Sequence, residues 1–352
     1  MIFCLEPYVH MDIMVENNVV KTKPCNIYYG SETSSQVIEM HNKGVWPDGC
    51  KSCKFANEHN QLSRQKGVNK LYTDKGITRD GGIQAVSFRY GTLCNLRCPI
   101  CSYIRSSAWA NEDVKFGKDI PDRFIFDQKK MPDVKDVLAQ TGVDASKVKV
   151  WDLHGGEPLL NDYPWEILKM SPDAHFKINT NGTVFPEKMK EFQGHDVELL
   201  FSIDDINERF EYLRYPANFE KVTKNIQLAK EYGFRIGVTP AISSINLFYF
   251  PEFAVWLVKN FGTNILMQYV DEPAHYAINN LNDKVKEIII DKFEKHKLKK
   301  FLRPIVEKIQ QPQDKDVTFF SKVAEIDRRR NNSFSATFPE WSDILNENTM
   351  HR

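Results

Sequence analysis

CNLRCPIC, residues 94–101, sets three cysteines in one short run at uneven spacing: three residues separate Cys94 from Cys98, and two separate Cys98 from Cys101. The run follows IQAVSFRYG (83–91), a β-rich apolar stretch that reads as a strand. In a parallel α/β array the loop after a strand lies at the C-terminal edge of the sheet, where sites are assembled. Thiolates on such a loop point to metal. A structural zinc takes four ligands, generally from paired C-x2-C units. A 4Fe–4S cluster takes one cysteine for each iron, so three cysteines leave one iron open to a small molecule. A zinc site completed from elsewhere and chance clustering are the competing readings.

Working outward from that loop, further β-rich runs recur at 148–156, 175–183, 197–204, 235–243 and 264–270, with helical segments between them. The clearest helix carries Phe219, Val222, Ile226 and Ala229 at helical spacing, with Gly233 as a stop. Strands alternating with helices mean right-handed βαβ units and a parallel sheet, so the fold class is α/β. Six strands suit an open doubly wound sheet or a partial barrel. Residues 8–15 and 19–22 read as a β-hairpin turning at Asn17–Asn18, and 34–43 as a helix stopped by Gly44. Residues 58–82 read as a connector, 110–130 as a long surface loop or lid, and 276–352 as mostly helical. The expected division is 1–75, 83–275 and 276–352.

The chain has 352 residues, a formal net charge of zero and 27% charged residues. That balance argues against general nucleic-acid binding. The opening MIFCLEPYVHMD lacks the features of a signal peptide, and no apolar stretch is long enough to span a bilayer. A cytoplasmic location is expected. Seven cysteines, an odd number, argue against a disulfide framework. The four outside the loop are Cys4, Cys25, Cys50 and Cys53; Cys4 precedes the hairpin, Cys25 follows it, and a C-x2-C pair comes after the helix. Four ligands make a closed site, open to a second 4Fe–4S cluster, to zinc or to no metal.

The loop and the segments that follow it resemble the radical S-adenosylmethionine (SAM) superfamily. C-x3-C-x2-C follows the first strand; HGGEP (154–158), NTNGT (179–183) and SID (202–204) end the next three; Arg214 stands ten residues beyond Asp204. The resemblance implies a partial (β/α)6 TIM-type barrel. It implies a 4Fe–4S cluster on Cys94, Cys98 and Cys101, and SAM held by Gly155, Gly156, Glu157, Asn179, Asn181, Ser202, Asp204 and Arg214. Ile100 stands where the family often has an aromatic residue near the adenine, and still offers an apolar contact. Asp152 and His154 flank the glycines; local hydrogen bonding is the plainer reading of them, an acid–base role the sharper one. The spacing of Cys4, Cys25, Cys50 and Cys53 is similar to the Twitch module, a shortened relative of SPASM that binds an auxiliary 4Fe–4S cluster, here at the N-terminus. FSATFPEW (334–341) resembles the tail of Twitch-containing proteins of bacteriophages and environmental bacteria.

The implied activity is reductive cleavage of SAM to a 5′-deoxyadenosyl radical that abstracts a substrate hydrogen. With an auxiliary cluster the resemblance points to net oxidation or cross-linking of a peptide or protein, with flavodoxin or ferredoxin as reductant. The same chemistry on a small molecule or nucleotide, and a non-catalytic iron–sulfur protein, are the alternatives. Residues 1–75 are expected to fold back over the open end of the barrel, with their cluster facing the substrate.

Overall fold

The computed structural model describes residues 2–28, 30–58, 63–262, 264–312 and 316–349. Its centre is a seven-stranded sheet of order β2-β1-β3-β4-β5-β6-β7. The strands are β1 (His10–Glu16), β2 (Val19–Lys23), β3 (Ala85–Tyr90), β4 (Val150–His154), β5 (His175–Thr180), β6 (Asp196–Phe201) and β7 (Arg235–Val238). All neighbours are parallel except the β1–β2 hairpin. The sixth expected strand is reduced to a parallel bridge, Val238 to Ile265, and a two-residue ladder between β8 (Ala241–Ile242) and β9 (Gln268–Tyr269). The sheet is open, as expected of a partial barrel.

Alternation along each strand divides the sheet into two faces. Phe88, Trp151, Leu153, Phe176 and Ile178 are fully buried in the main core, with Val137 of the helix Val134–Thr141 and Ile167 of the helix Tyr163–Met170. The opposite face is polar in its middle: Asp12, Ser87, Asp152 and Lys177 stand in register across β1, β3, β4 and β5. Buried carboxylates need partners. Asp12 Oδ2 takes Arg89 Nη2 at 3.0 Å, and Asp152 Oδ1 takes His154 Nε2 at 3.0 Å.

The N-terminal segment covers this polar face. The expected hairpin is present, with Asn17 at φ 51°, but β1 is also a parallel strand of the main sheet, paired with β3 from His10–Ala85 to Val15–Tyr90. Residues 58–82 are more than a connector: within them Arg64–Asp74 is a helix capped by Ser63, while 59–62 lie outside the described residues. Its Val68 and Tyr72 bury with Leu5, Val9, Ala85 and Val150. Its Arg64 meets Glu6 Oε1 at 2.7 Å and Asp152 Oδ2 at 4.0 Å. The segment thus sits on the inner face, near the ends where the parallel strands begin, instead of across the ends where they finish.

The 110–130 reading is corrected as well. Ser107–Lys115 is a helix with Trp109, Ala110, Glu112 and Asp113 buried, followed by short turns at Asp122–Phe124 and Gln128–Lys130. Its inward acids are paired with distant bases, Arg329 Nη1 to Asp113 Oδ1 at 2.8 Å among them, so charge there did not mean exposure. The region after 276 is helical as expected, with Leu302, Ile305, Val306 and Ile309 forming the buried stripe of Lys299–Ile309.

Candidate functional site

β3 ends at Gly91 (φ 72°), and the chain turns through Thr92 and Leu93 into the cysteine loop. The loop backbone is gripped from outside. Ser107 Oγ accepts from Cys94 N at 3.1 Å, and Ser106 Oγ donates to Leu96 O at 2.6 Å. Trp109 Nε1 donates to Cys98 O at 2.8 Å, and Arg97 N donates to Tyr215 O at 2.7 Å. Ser106 also accepts from Trp109 N and so caps the helix that holds the loop. These holding residues escaped the sequence reading, although the Ser-Ser pair ahead of an apolar run is a helix-start signal.

The glycines of HGGEP allow the next strand end to press against this loop. A Cβ on Gly156 would lie 2.2 Å from the Leu93 carbonyl oxygen, and Gly155 adopts φ 121°, a region L side chains avoid. Glu157 N then donates to Leu93 O at 2.7 Å. The Glu157 side chain turns inward and is 1% exposed. Oε2 accepts from Asn181 N at 2.6 Å; Oε1 accepts from Thr180 Oγ1 at 2.8 Å and Leu159 N at 3.1 Å. Burial pushes its carboxyl up to about 7 against those three donors. Glu157 therefore ties the β4 and β5 ends together.

Asn181 continues the link. Its Nδ2 donates to Asn95 Oδ1 at 3.0 Å and stands 3.9 Å from Cys94 Sγ. After β6, Asp204 is 1% exposed on its side chain and pairs with Arg214, Oδ1 to Nη2 at 2.8 Å and Oδ2 to Nε at 2.5 Å. Arg214 Nη1 reaches within 4.0 Å of Cys98 Sγ. Four strand ends are thus drawn to one place. Ile100 is half-buried against the core, and Ser202 is half-buried with its N–H on Thr180 O at 2.9 Å. Asn179 stands apart on the polar face, donating to Asp152 Oδ1 at 3.2 Å and lying 3.0 Å from His154 Nδ1.

Burial raises all three loop thiols, Cys94 to about 12 and Cys101 to about 11; for Cys98, Arg214 opposes the rise. Buried thiols next to one another become thiolates when positive charge is brought among them, as iron would bring it. The donor set fits a cluster with one iron per thiolate. Among the described residues no three His, Cys, Asp or Glu side chains are drawn tightly enough together to hold a single metal ion.

Cys4, Cys25, Cys50 and Cys53 line one cavity, with Pro7, Ile27, Val37 and Trp46 among its apolar walls. All four thiols are raised by burial, Cys50 to about 12. His41 Nε2 lies 3.8 Å from Cys50 Sγ, a neighbour the sequence reading missed. A shared apolar cavity with four thiols suits a group that each thiolate ligates. Cys4 precedes β1 and Cys25 follows β2, so both lie toward the strand starts, whereas Cys94–Cys101 follow a strand end. Between them run Asn26, whose carbonyl takes Arg89 Nη2 at 2.8 Å, and His154.

The sequence pattern of the Radical SAM superfamily matches residues 89–257. No curated protein sequence matches the chain. Among solved structures, native anSMEcpe with bound AdoMet is similar at 14% identity and TM-score 0.43, over 62% of this chain and 61% of that one. Streptococcus suis SuiB bound to precursor peptide SuiA is similar at 12% identity and TM-score 0.41, over 74% of this chain and 59% of that one. The chain thus spans about three-fifths of the length of the structures it matches. No described helix is long and apolar enough to cross a membrane. The cysteine loop, HGGEP, NTNGT and the Asp204–Arg214 pair all lie within the stretch that matches the Radical SAM superfamily.

Proposed function

We propose that the chain is a radical SAM enzyme whose catalytic 4Fe–4S cluster is held by Cys94, Cys98 and Cys101. The observation that carries this is the convergence of the cysteine loop, the HGGEP backbone, Asn181 and the Asp204–Arg214 pair at one end of the sheet. When bound, the cluster and SAM supply a 5′-deoxyadenosyl radical. The chain's own part is to hold and orient. Gly155 and Gly156 let the HGGEP backbone close on the cysteine loop, and Arg214, kept charged and aimed by Asp204, is placed for a carboxylate. Glu157 shapes the pocket from behind, and Ile100 offers an apolar wall.

The second part of the proposal concerns residues 1–75. Cys4, Cys25, Cys50 and Cys53 hold an auxiliary 4Fe–4S cluster in a Twitch-like unit; residues 83–275 form the catalytic unit and 276–352 a helical extension. The support is the cavity the four thiols share. The polar face between the two cysteine sets, with Asp152, His154, Asn179 and Arg89, is the proposed substrate side. A peptide or protein is the proposed substrate, undergoing net oxidation or cross-linking, on the resemblance of the cysteine spacing to SPASM and Twitch modules. Flavodoxin or ferredoxin is the proposed reductant.

The experiment is anaerobic reconstitution followed by assay for 5′-deoxyadenosine with dithionite as reductant. Formation by the parent and none by Cys94→Ala, Cys98→Ala or Cys101→Ala is expected. Undiminished product from all three variants would defeat the assignment. A folded, iron-loaded parent that makes none would favour a non-catalytic iron–sulfur protein.

A further inference from the structure

Arg89 and His154 form the last register pair of β3 and β4. Beyond them the two strands run on into the cysteine loop and into Gly155–Gly156, so Arg89 lies one level below the site described above. On the polar face it is held from behind. Nη2 donates to Asp12 Oδ2 at 3.0 Å and to the Asn26 carbonyl at 2.8 Å, which engages both of its hydrogens. Nε and Nη1 have no hydrogen-bond partner among the described residues, and neither is buried; the side chain is 20% exposed. Three N–H groups therefore stand unused, two of them on Nη1.

The protein itself supplies no acceptor for them. Asp12 is the one ion-pair partner of Arg89 among the described residues. The other carboxylates of this face and its cover are engaged: Glu6 by Arg64, Glu16 by Lys21, Asp152 by His154 and Glu198 by Asn264. The fold gains little from the arrangement. Asp12 is wholly buried, yet its Oδ1 has no hydrogen bond, and a buried ion pair is often no better for stability than apolar side chains of similar size. What the pair does achieve is an arginine fixed in place with donors left over. The β6 end repeats the device, where buried Asp204 aims Arg214.

We propose that Arg89 is a specificity-determining residue that binds a carboxylate of the substrate through Nη1. Its own charge is already matched by Asp12, so a ligand group with a single negative charge suits it better than a dianionic phosphate. Charge-assisted hydrogen bonds from a guanidinium already held in position favour that group strongly. In a peptide the carboxylate comes from an acidic side chain or from the C-terminus. The inference rests on the radical SAM reading and the peptide substrate proposed above.

The test is affinity selection of synthetic N-acetylated hexapeptide libraries on the reconstituted full chain. One library is C-terminally amidated and the other keeps its free carboxylate. Saturating SAM occupies the Arg214 side. Enrichment of Asp and Glu over Asn and Gln by about tenfold in the amidated library identifies an acidic side chain. A comparable preference for the free-acid library identifies the C-terminus. Arg89→Gln combined with Asp12→Asn removes both charges together and is expected to lose the preference. No preference in the parent, or the same preference in the double variant, overturns the inference. If the double variant does not fold, phenylglyoxal labelling of the parent decides: the retained peptides should shield Arg89, and labelling unchanged by them overturns the inference. A parent that makes no 5′-deoxyadenosine overturns the radical SAM reading, and the substrate role with it.

Discussion

Cys94, Cys98 and Cys101 stand on one continuous loop, its backbone gripped by Ser106, Ser107, Trp109 and Tyr215. Cys4, Cys25, Cys50 and Cys53 come from separated stretches and meet around an apolar cavity. The first set is placed by hydrogen bonds that need no ligand. The second gathers its thiols across a cavity whose apolar walls are joined by Glu6, His41 and Gln65, with His41 Nε2 3.8 Å from Cys50 Sγ. A site of the first kind is a receptor formed with the sheet. A site of the second kind takes much of its order from what it binds.

The largest effect expected of this contrast is in cofactor content. Two 4Fe–4S clusters mean about eight irons per chain. Cys98→Ala should bring that to about four, abolish 5′-deoxyadenosine and hardly move the thermal midpoint. Cys50→Ala with Cys53→Ala should also lose about four irons, but should lower the midpoint by several degrees and leave uncoupled SAM cleavage. Iron and zinc assays with calorimetry read both. About four irons and one zinc in the parent would make the N-terminal site a zinc site, and equal midpoints in the two variants would erase the contrast.

Next is the tie between the two regions. Glu6 is buried and held by Arg64, which also faces Asp152. Arg64→Ala leaves that carboxylate without its counter-ion, a loss of about 3–5 kcal/mol. Urea unfolding measures it; a loss under 1 kcal/mol would mean that the segment is anchored by β1 alone.

Glu157 gives the loop side a pH signature. Its carboxyl is raised by burial from the ordinary 4.5 to about 7, so the folded protein binds that proton more tightly than the unfolded chain. The stability contributed is complete below about pH 4.5 and is lost as pH rises through about 7, up to about 3 kcal/mol in all. Glu157→Gln cannot ionise and should flatten the change in urea midpoint between pH 5 and pH 7.5. The same slope in parent and variant would place its origin elsewhere.

The smallest effect is local. Thr33 and Gln36 form a reciprocal capping box on the helix Ser34–Asn42, which carries His41 beside the N-terminal cavity. Thr33→Ala should cost about 1 kcal/mol. A larger loss in the metal-free protein than in the loaded one, by hydrogen exchange over 34–42, would sharpen the view that bound metal orders this region.

The loop side was legible because its motifs are contiguous and each follows its own strand. Even so, the motif letters did not reveal that Glu157 turns inward or that Asn179 lies with Asp152 and His154. Those orientations depend on which neighbours offer donors. β1 was legible as a strand, but its place beside β3 was not, since parallel pairing between distant segments leaves no local signature. The helix Arg64–Asp74 was hidden by a weak apolar stripe and a glycine, and is held by its packing under Ala85 and Val150. Ser107–Lys115 was hidden because its acids are buried, and one of them, Asp113, is met by Arg329, a base more than 200 residues away.

The pairing of β1 with β3 also bears on how the chain is made. β1 closes with β2 as soon as both have left the ribosome, but its other edge has no partner until β3 follows, 75 positions later from His10 to Ala85. At translation rates of roughly 5–20 residues per second that interval lasts roughly 4–15 s. Throughout it the nascent chain carries an unpaired strand edge, the kind of surface that recruits other strands. It also carries the thiols of Cys4, Cys25, Cys50 and Cys53 before the barrel exists to shelter them. Translation speed and oxidant exposure therefore bear on this protein before the loop of Cys94, Cys98 and Cys101 has been synthesised.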